Sequence, residues 1–317
     1  MLYSLKPMHI PDGFLSVAVA IILWIVAIAV IAYALKRAGK VLRERQVPLM
    51  GVLAACIFAG QMLNFSVAGG TSGHLLGAAL ATILLGPWPA VLVLTCVVSA
   101  QALLFQDGGL LALGANIVNM AIVGVFVAQF ASSTIQRLAG GRRWGLAVRG
   151  FGAGWLSIFV ASLACALELA LSGTSPANVG VPAMGGIHAL IGIGEGLITL
   201  GALGFIAAAR SDLVQQGASP RGGNRLVWVG GLLIAVLLAI ASPLASTHPD
   251  GLEWVAGQQG FLNLQQGPLY RIMPDYVFPG LSNQTLATIV AGIVGALLVA
   301  GVAFAVAYTR RSRRVET

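Results

Sequence analysis

The chain has 317 residues, 58% of them hydrophobic and 9% charged, with a mean hydropathy of +0.91. Soluble domains carry about 25% charged residues, so this composition excludes a soluble globular protein and describes an integral membrane one. The formal charge of +8 would point to nucleic acid in a soluble chain, but the placement of the cations makes it a topology signal, and no nucleic-acid partner is expected.

Nine apolar stretches bounded by turn residues follow in chain order: 14–36, 47–67, 73–86, 88–106, 112–137, 146–172, 185–209, 226–245 and 285–308. The first is long enough to span a bilayer and is preceded only by Lys6 as a cation, so it does not read as a cleavable signal. The third is short and ends at Gly86-Pro87-Trp88-Pro89, which reads as a partial span buried among its neighbours. Cys56, Cys96 and Cys165 fall inside apolar runs without CxxC spacing and read as packing residues. A polar, glycine-rich stretch at 211–225 separates a core, 1–210, from a second part, 226–317, whose two spans flank an outer loop of residues 246–284. The expected fold is therefore an all-α polytopic membrane protein, a seven-helix core plus two C-terminal transmembrane helices.

All but two of the 18 Lys and Arg fall in loops on one side of these spans; the exceptions are Lys6 and Arg271. The positive-inside rule puts the N-terminus outside and the C-terminus in the cytoplasm, in contact with membrane lipid throughout. His9, His74, His188 and His248 then all lie at the outer face, with His74 opening the third span and His188 the seventh. The sequence Pro-Asp-Gly occurs at 11–13 and again at 249–251, each time just after a histidine, an echo of turn chemistry or of a shared role.

The dipeptide Met8-His9 carries distinctive chemistry. In a chain starting at Met8, the amine of Met8 and the amide nitrogen of His9 would close a five-membered ring on a metal. That amide nitrogen and the imidazole Nδ1 would close a six-membered one. Three nitrogens held in one plane suit Ni²⁺ or Cu²⁺, whereas Zn²⁺ prefers a tetrahedron and Mg²⁺ prefers oxygens. The best candidate for a fourth nitrogen is His74, in Gly69-Gly70-Thr71-Ser72-Gly73-His74. The dipeptide also fits an interfacial linker with a snorkelling histidine.

Three stretches resemble the CbiM/NikM substrate-binding membrane components of energy-coupling factor (ECF) transporters for cobalt and nickel: MHIPDGFLS (8–16), QMLNFSVAGGTSGHLLGAALATILLGPWPA (61–90) and GGIHALIGIGEGLIT (185–199). STHPDGLEWVAG (246–257) and MPDYVFPG (273–280) resemble the PDGLE, or NikN-type, module fused to some members. The resemblance implies a non-enzymatic component that captures Ni²⁺ or Co²⁺ at the outer face. The ligands it implies are the Met8 amine, the His9 amide and imidazole, and His74. The extension Met1 to Pro7 departs from the pattern, so Met8 is expected to be the true start; leader removal or loss of the amine ligand are the alternatives. The chain has no GxxxxGK[ST] phosphate loop. The resemblance accordingly implies two ATPase subunits and a transmembrane coupling (T) component as partners. The choice of metal stays open: the planar nitrogen set and the NikN-like tail lean to nickel, and the family name leans to cobalt.

Several polar residues invite supporting roles. Asn64 and Ser72 are candidates to hold His74 in its ligating tautomer, and the pairs Gln61/Asn64 and Asn116/Asn119 each share a helix face. His188, Gly192 and Glu195 form one stripe that would either orient ligands or tie helices together; Glu168 and Glu195 each need a partner inside an apolar run. The small residues Gly51, Ala55 and Ala59, with Gly192 and Gly196, read as close-packing surfaces for a partner or within the chain. One rival from another class is a rhomboid-like intramembrane serine protease, with Gly70-Thr71-Ser72-Gly73 as its GxSG motif and His188 as base. A passive channel is a third reading.

Overall fold

Small residues and apolar runs set the architecture. The computed structural model describes residues 8–42, 44, 46–139, 142, 144–214 and 224–311. The extension before Met8 and linker residues 215–223 lie outside the described residues, as do Arg43, Arg45, Arg143, Arg221, Arg313 and Arg314 among the cations counted above.

Among the described residues seven helical segments are long and apolar enough to cross a membrane, and the chain is a polytopic all-α membrane protein. Helix α1 (Val17–Val41) starts at Ser16, whose hydroxyl accepts the Val19 N–H, and buries one stripe of small side chains, Ala20, Ala27, Ala34 and Ala38. Its remaining apolar surface is left for lipid. Helix α2 (Gln46–Gln61) is the opposite case: every residue but Gln46 and Cys56 is buried. A helix apolar all round belongs in the interior. A two-stranded hairpin follows, β1 (Phe65–Val67) and β2 (Thr71–Gly73), with Ser66 opposite Ser72. The expected third span is then only the eight-residue helix α3 (Ala78–Leu85), buried at all but one position; it is the partial span that the Gly-Pro-Trp-Pro turn implied.

Helix α4 (Pro87–Ala100) runs into a π-helical turn at Gln101–Phe105. After the loop at 106–112, helix α5 (Leu113–Asn116) passes through a second π-helical stretch, Ile117–Val123, into α6 (Gly124–Ala139). Such bulges re-aim side chains and often flank functional sites; here they bracket the loop that carries Asp107. Helices α7 (Gly145–Leu171) and α8 (Ala177–Ala209) pack along their length, Gly192 receiving the Trp155 ring and Gly196 the Phe151 ring. Helix α8 begins at Ala177, ahead of the apolar stretch expected from 185, because Gly180 and Pro182 lie within the helix and do not interrupt it. His188 therefore sits about three turns inside this helix and does not open it.

Beyond the linker, α9 (Asn224–Ala241) and α11 (Gln284–Arg310) both pack on α2. A Cβ at Gly51 would come 2.9 Å from the Ala300 carbonyl oxygen, and Gly51, Ala55 and Ala59 are all buried. The small-residue stripes are thus used inside the chain, as closely packed membrane helices require. The loop between α9 and α11 holds a short helix, α10 (Gly251–Gln259), capped by Asp250, whose carboxylate accepts the Glu253 N–H at 2.7 Å. This loop lies over the hairpin: the Ser72 N–H donates to the Pro249 carbonyl at 2.8 Å.

Candidate metal centre

The start of the described chain is drawn into the protein and strapped there by residues 107–116. Asn116 clamps the Ile10 peptide on both edges, accepting its N–H at 3.0 Å and donating to its carbonyl at 3.1 Å. The Gly109 N–H reaches the same carbonyl at 2.9 Å. Asp12 accepts the Leu110 and Ala112 N–H groups, both at 3.0 Å. Gly108 (φ +96) has no side chain where one is excluded: its Cβ would sit 3.0 Å from both the His9 Cβ and the Asn116 Nδ2. Met8 and His9 are consequently both 4% exposed.

Asp107 is the centre of this arrangement. Its Oδ1 accepts the Met8 N–H at 2.6 Å and lies 3.1 Å from the His9 Nδ1. Two of the nitrogens expected to chelate a metal thus converge on one point. Burial alone would lower the basicity of the His9 imidazole, but the Asp107 charge and hydrogen bonds outweigh it and raise its pKa above the ordinary 6.5. Burial pushes the Asp107 carboxyl the other way, and His9 again outweighs it, so that this acid is held below the usual range. The His9 Nε2 is buried without a partner.

His74 lies in the non-helical segment between β2 and α3, its ring 5.4 Å from that of His9 and edge-on to it at 74°. Its Nδ1 is 3.0 Å from the Leu75 carbonyl oxygen. A carbonyl can only accept, so Nδ1 carries the proton and Nε2 keeps the lone pair a metal needs. The backbone therefore sets this tautomer, the role expected of Asn64. The Asn64 main-chain carbonyl receives the Ser246 N–H at 2.8 Å, while its side-chain Oδ1 is buried without a partner. Burial, with the nearby His9 charge, pushes the His74 imidazole down to about 4, so it is neutral at physiological pH. The segment after His74 is fixed from α8: Glu195 accepts the Leu76 and Gly77 N–H groups at 2.6 and 3.1 Å. Glu195 thereby ties α8 to the segment that follows His74.

His9, His74 and His188 line one cavity of about 90 Å³ together with Asn116, Asn119 and Asp250. The His188 Nδ1 faces the Met184 carbonyl at 2.9 Å. Three of the four histidines converge; His248 is exposed and paired with the Ser246 hydroxyl at 3.1 Å. The two Pro-Asp-Gly copies both bear on this site, Ile10 preceding one and Asp250 and Gly251 belonging to the other. Gly251 is obligatory for close approach, since a Cβ there would come 2.7 Å from the His188 Cε1. Asn119 donates to Glu168 at 2.7 Å, giving that intramembrane carboxyl its partner. Among the described residues no group of three or more His, Cys, Asp or Glu side chains is arranged to hold a metal; a chelate drawing on the Met8 and His9 main-chain nitrogens needs no such group.

Ser72 is buried. Its hydroxyl donates to the His248 carbonyl at 2.8 Å, tethering the loop between α9 and α11. A proton on a main-chain carbonyl is not on a base, so nothing here supports a serine nucleophile. Asp107 and Tyr276, whose hydroxyl donates to the Asp107 Oδ2 at 2.6 Å, share the site's hydrogen bonding with Asn116, which the sequence shows only as half of the Asn116/Asn119 pair. The signals for Asp107 and Tyr276 are an Asp-Gly-Gly turn at the end of a span and the Pro-Asp-Tyr at 274–276.

The family model for the cobalt uptake substrate-specific transmembrane region, CbiM, matches residues 9–213, and the PDGLE domain matches residues 225–312. The chain is 40% identical to an Archaeoglobus fulgidus protein named "Putative fused nickel transport protein NikMN", over 96% of this chain and 99% of that one. It is 28% identical to the fused nickel transport protein NikMN of Rhodobacter capsulatus, over 97% and 99%. A crystal structure described as a truncated transition metal transporter superposes with a TM-score of 0.57 at 34% identity, covering 64% of this chain and 99% of that one.

Proposed function

Because the chain belongs to the CbiM family and carries a PDGLE domain behind the CbiM region, we propose that it captures Ni²⁺ or Co²⁺ at the outer face for ATP-driven uptake. Its relatives are named as metal transport proteins, and the chain is a transport component, not an enzyme. The ligands in this reading are the Met8 amine, the His9 amide nitrogen and Nδ1, and the His74 Nε2. The single observation that carries it is the convergence of the Met8 nitrogen and the His9 Nδ1 on one point, with His74 facing them in the same cavity. A donor set of four nitrogens, three of them from one chelate, suits a planar metal, which leans to nickel.

Family membership implies further transporter subunits, and the lack of a phosphate loop assigns ATP hydrolysis to them. We place a T component and two ATPases in that role. In the proposed topology residues 1–210 form the metal-binding core and 226–317 the accessory module, with the N-terminus outside and the C-terminus cytoplasmic. The deciding experiment concerns the chain start. Protein beginning at Met8 is expected to bind Ni²⁺ tightly by calorimetry, and the same protein with one residue placed before Met8 is expected to lose at least about 100-fold, since the amine becomes an amide. Equal affinity would remove the amine from the ligand set.

A pH dependence follows. Metal binding needs deprotonated donors. His74 has lost its proton well below neutrality, so the protons that must leave are those on the Met8 amine, the His9 amide nitrogen and the His9 imidazole, the last held above 6.5 by Asp107. Nickel affinity should therefore climb as pH rises through the region above 6.5. In Asp107→Asn the climb should begin at lower pH. A profile unmoved by that substitution in a nickel titration series would contradict the assignment.

A further inference from the structure

The C-terminal module reaches into the metal centre at a second place besides Asp250. In the turn Pro274–Tyr276, both Asp275 (φ 56) and Tyr276 (φ 57) adopt the left-handed backbone conformation. Non-glycine residues held this way cost on the order of 1–3 kcal/mol each and persist where the surroundings impose them. The imposed result is the placement of one ring. Tyr276 is 1% exposed, stacked on Phe105 at 4.7 Å and 14° and tilted against Phe58 at 6.1 Å. Its hydroxyl donates to the Asp107 Oδ2 at 2.6 Å.

The other oxygen of that carboxylate takes the Met8 N–H and faces the His9 Nδ1. One buried carboxylate therefore joins the Met8-His9 segment, the loop between the two π-helical turns and the C-terminal module. The Met273 N–H adds a main-chain tie to the Leu104 carbonyl at 3.0 Å, holding the turn against the first π-helical turn. If Tyr276 served packing alone, a phenylalanine would suffice, because the ring contacts are with Phe58 and Phe105. The hydroxyl is what a packing role leaves unexplained. In a buried setting a phenol on a carboxylate is a short, charge-assisted bond that fixes the direction of both oxygens.

We propose that Tyr276 is a positioning residue for metal capture, acting through Asp107 to set how the start of the chain presents the Met8 nitrogen and the His9 imidazole. The inference rests on the ligand reading above. Through it the fused module acquires a defined role, tuning a site that is built in the core. Outer partners of metal ligands typically change affinity by about 10–100-fold when removed.

The test uses purified protein whose first residue is Met8, titrated with nickel chloride, with three readouts: calorimetric affinity, the ligand-field absorption of the bound nickel, and the thermal midpoint of the metal-free protein. Tyr276→Phe is expected to bind nickel about 10-fold or more weakly, with an altered absorption spectrum and an unchanged midpoint. Leu269→Ala, on an exposed side chain of the same loop, should change none of the three. Wild-type affinity and spectrum in Tyr276→Phe would overturn the proposal. So would a weakened affinity matched by a lower midpoint with an unchanged spectrum, which is the mark of packing. Failure of the unaltered chain to bind nickel would overturn the ligand reading and this inference with it.

Discussion

Replacing His74 by alanine is expected to abolish tight nickel or cobalt binding and the uptake that depends on it. The reason is geometric. The His74 ring faces His9 at 5.4 Å, and its Nδ1 is committed to the Leu75 carbonyl, so Nε2 is left as an unprotonated donor aimed from its own segment. The loss should exceed the roughly 10–100-fold that removal of an outer partner costs. Fold stability should be little changed, since the neighbouring Leu76 and Gly77 are held by Glu195 whatever occupies position 74. His188→Ala is the matched control: it removes another cavity imidazole and should cost far less. Calorimetry on the two variants separates the outcomes, and tight binding retained in His74→Ala with loss in His188→Ala would reverse the assignment.

What is legible in the sequence is mainly what depends on periodicity and local chemistry. Long apolar runs mark the spans, Gly-Pro-Trp-Pro marks the end of the partial one, and Met8-His9 announces itself through chelate-ring size. The convergence of three histidines is legible as a shared outer rim. Asp107 is not, because its importance comes from the Met8-His9 segment folded back across 99 residues of sequence, and no local pattern encodes that closure. Asn116 looks like half of a helix-face pair yet clamps a main-chain peptide, which an amide does equally well. Asn64 is near His74 along the chain, but the adjacent Leu75 carbonyl already fills the need it is expected to meet. The start of helix α8 is hidden because Pro182 and Gly180 are breakers in water-soluble helices, while a membrane helix backed by neighbours tolerates them.

Glu195 carries the second large expectation. It is fully buried, and its two oxygens accept consecutive main-chain N–H groups just beyond His74. Glu195→Ala would leave both donors without partners, at about 1–3 kcal/mol each. Because Gly77 sits in the left-handed region at φ +78 and heads α3 without a side-chain cap, no nearby group can take over. The variant is expected to show a clearly lowered thermal midpoint in detergent and a loss of nickel affinity approaching that of His74→Ala. Glu195→Gln is the more informative change. Its amide keeps one acceptor oxygen but turns N–H groups toward the other main-chain donor, so the segment bearing His74 should shift while most of the packing survives. Affinity should then fall further than stability does. If Glu195→Gln lowered the midpoint while binding nickel as tightly as the unaltered protein, the carboxylate would be a helix tie alone, and the position of His74 would owe nothing to it.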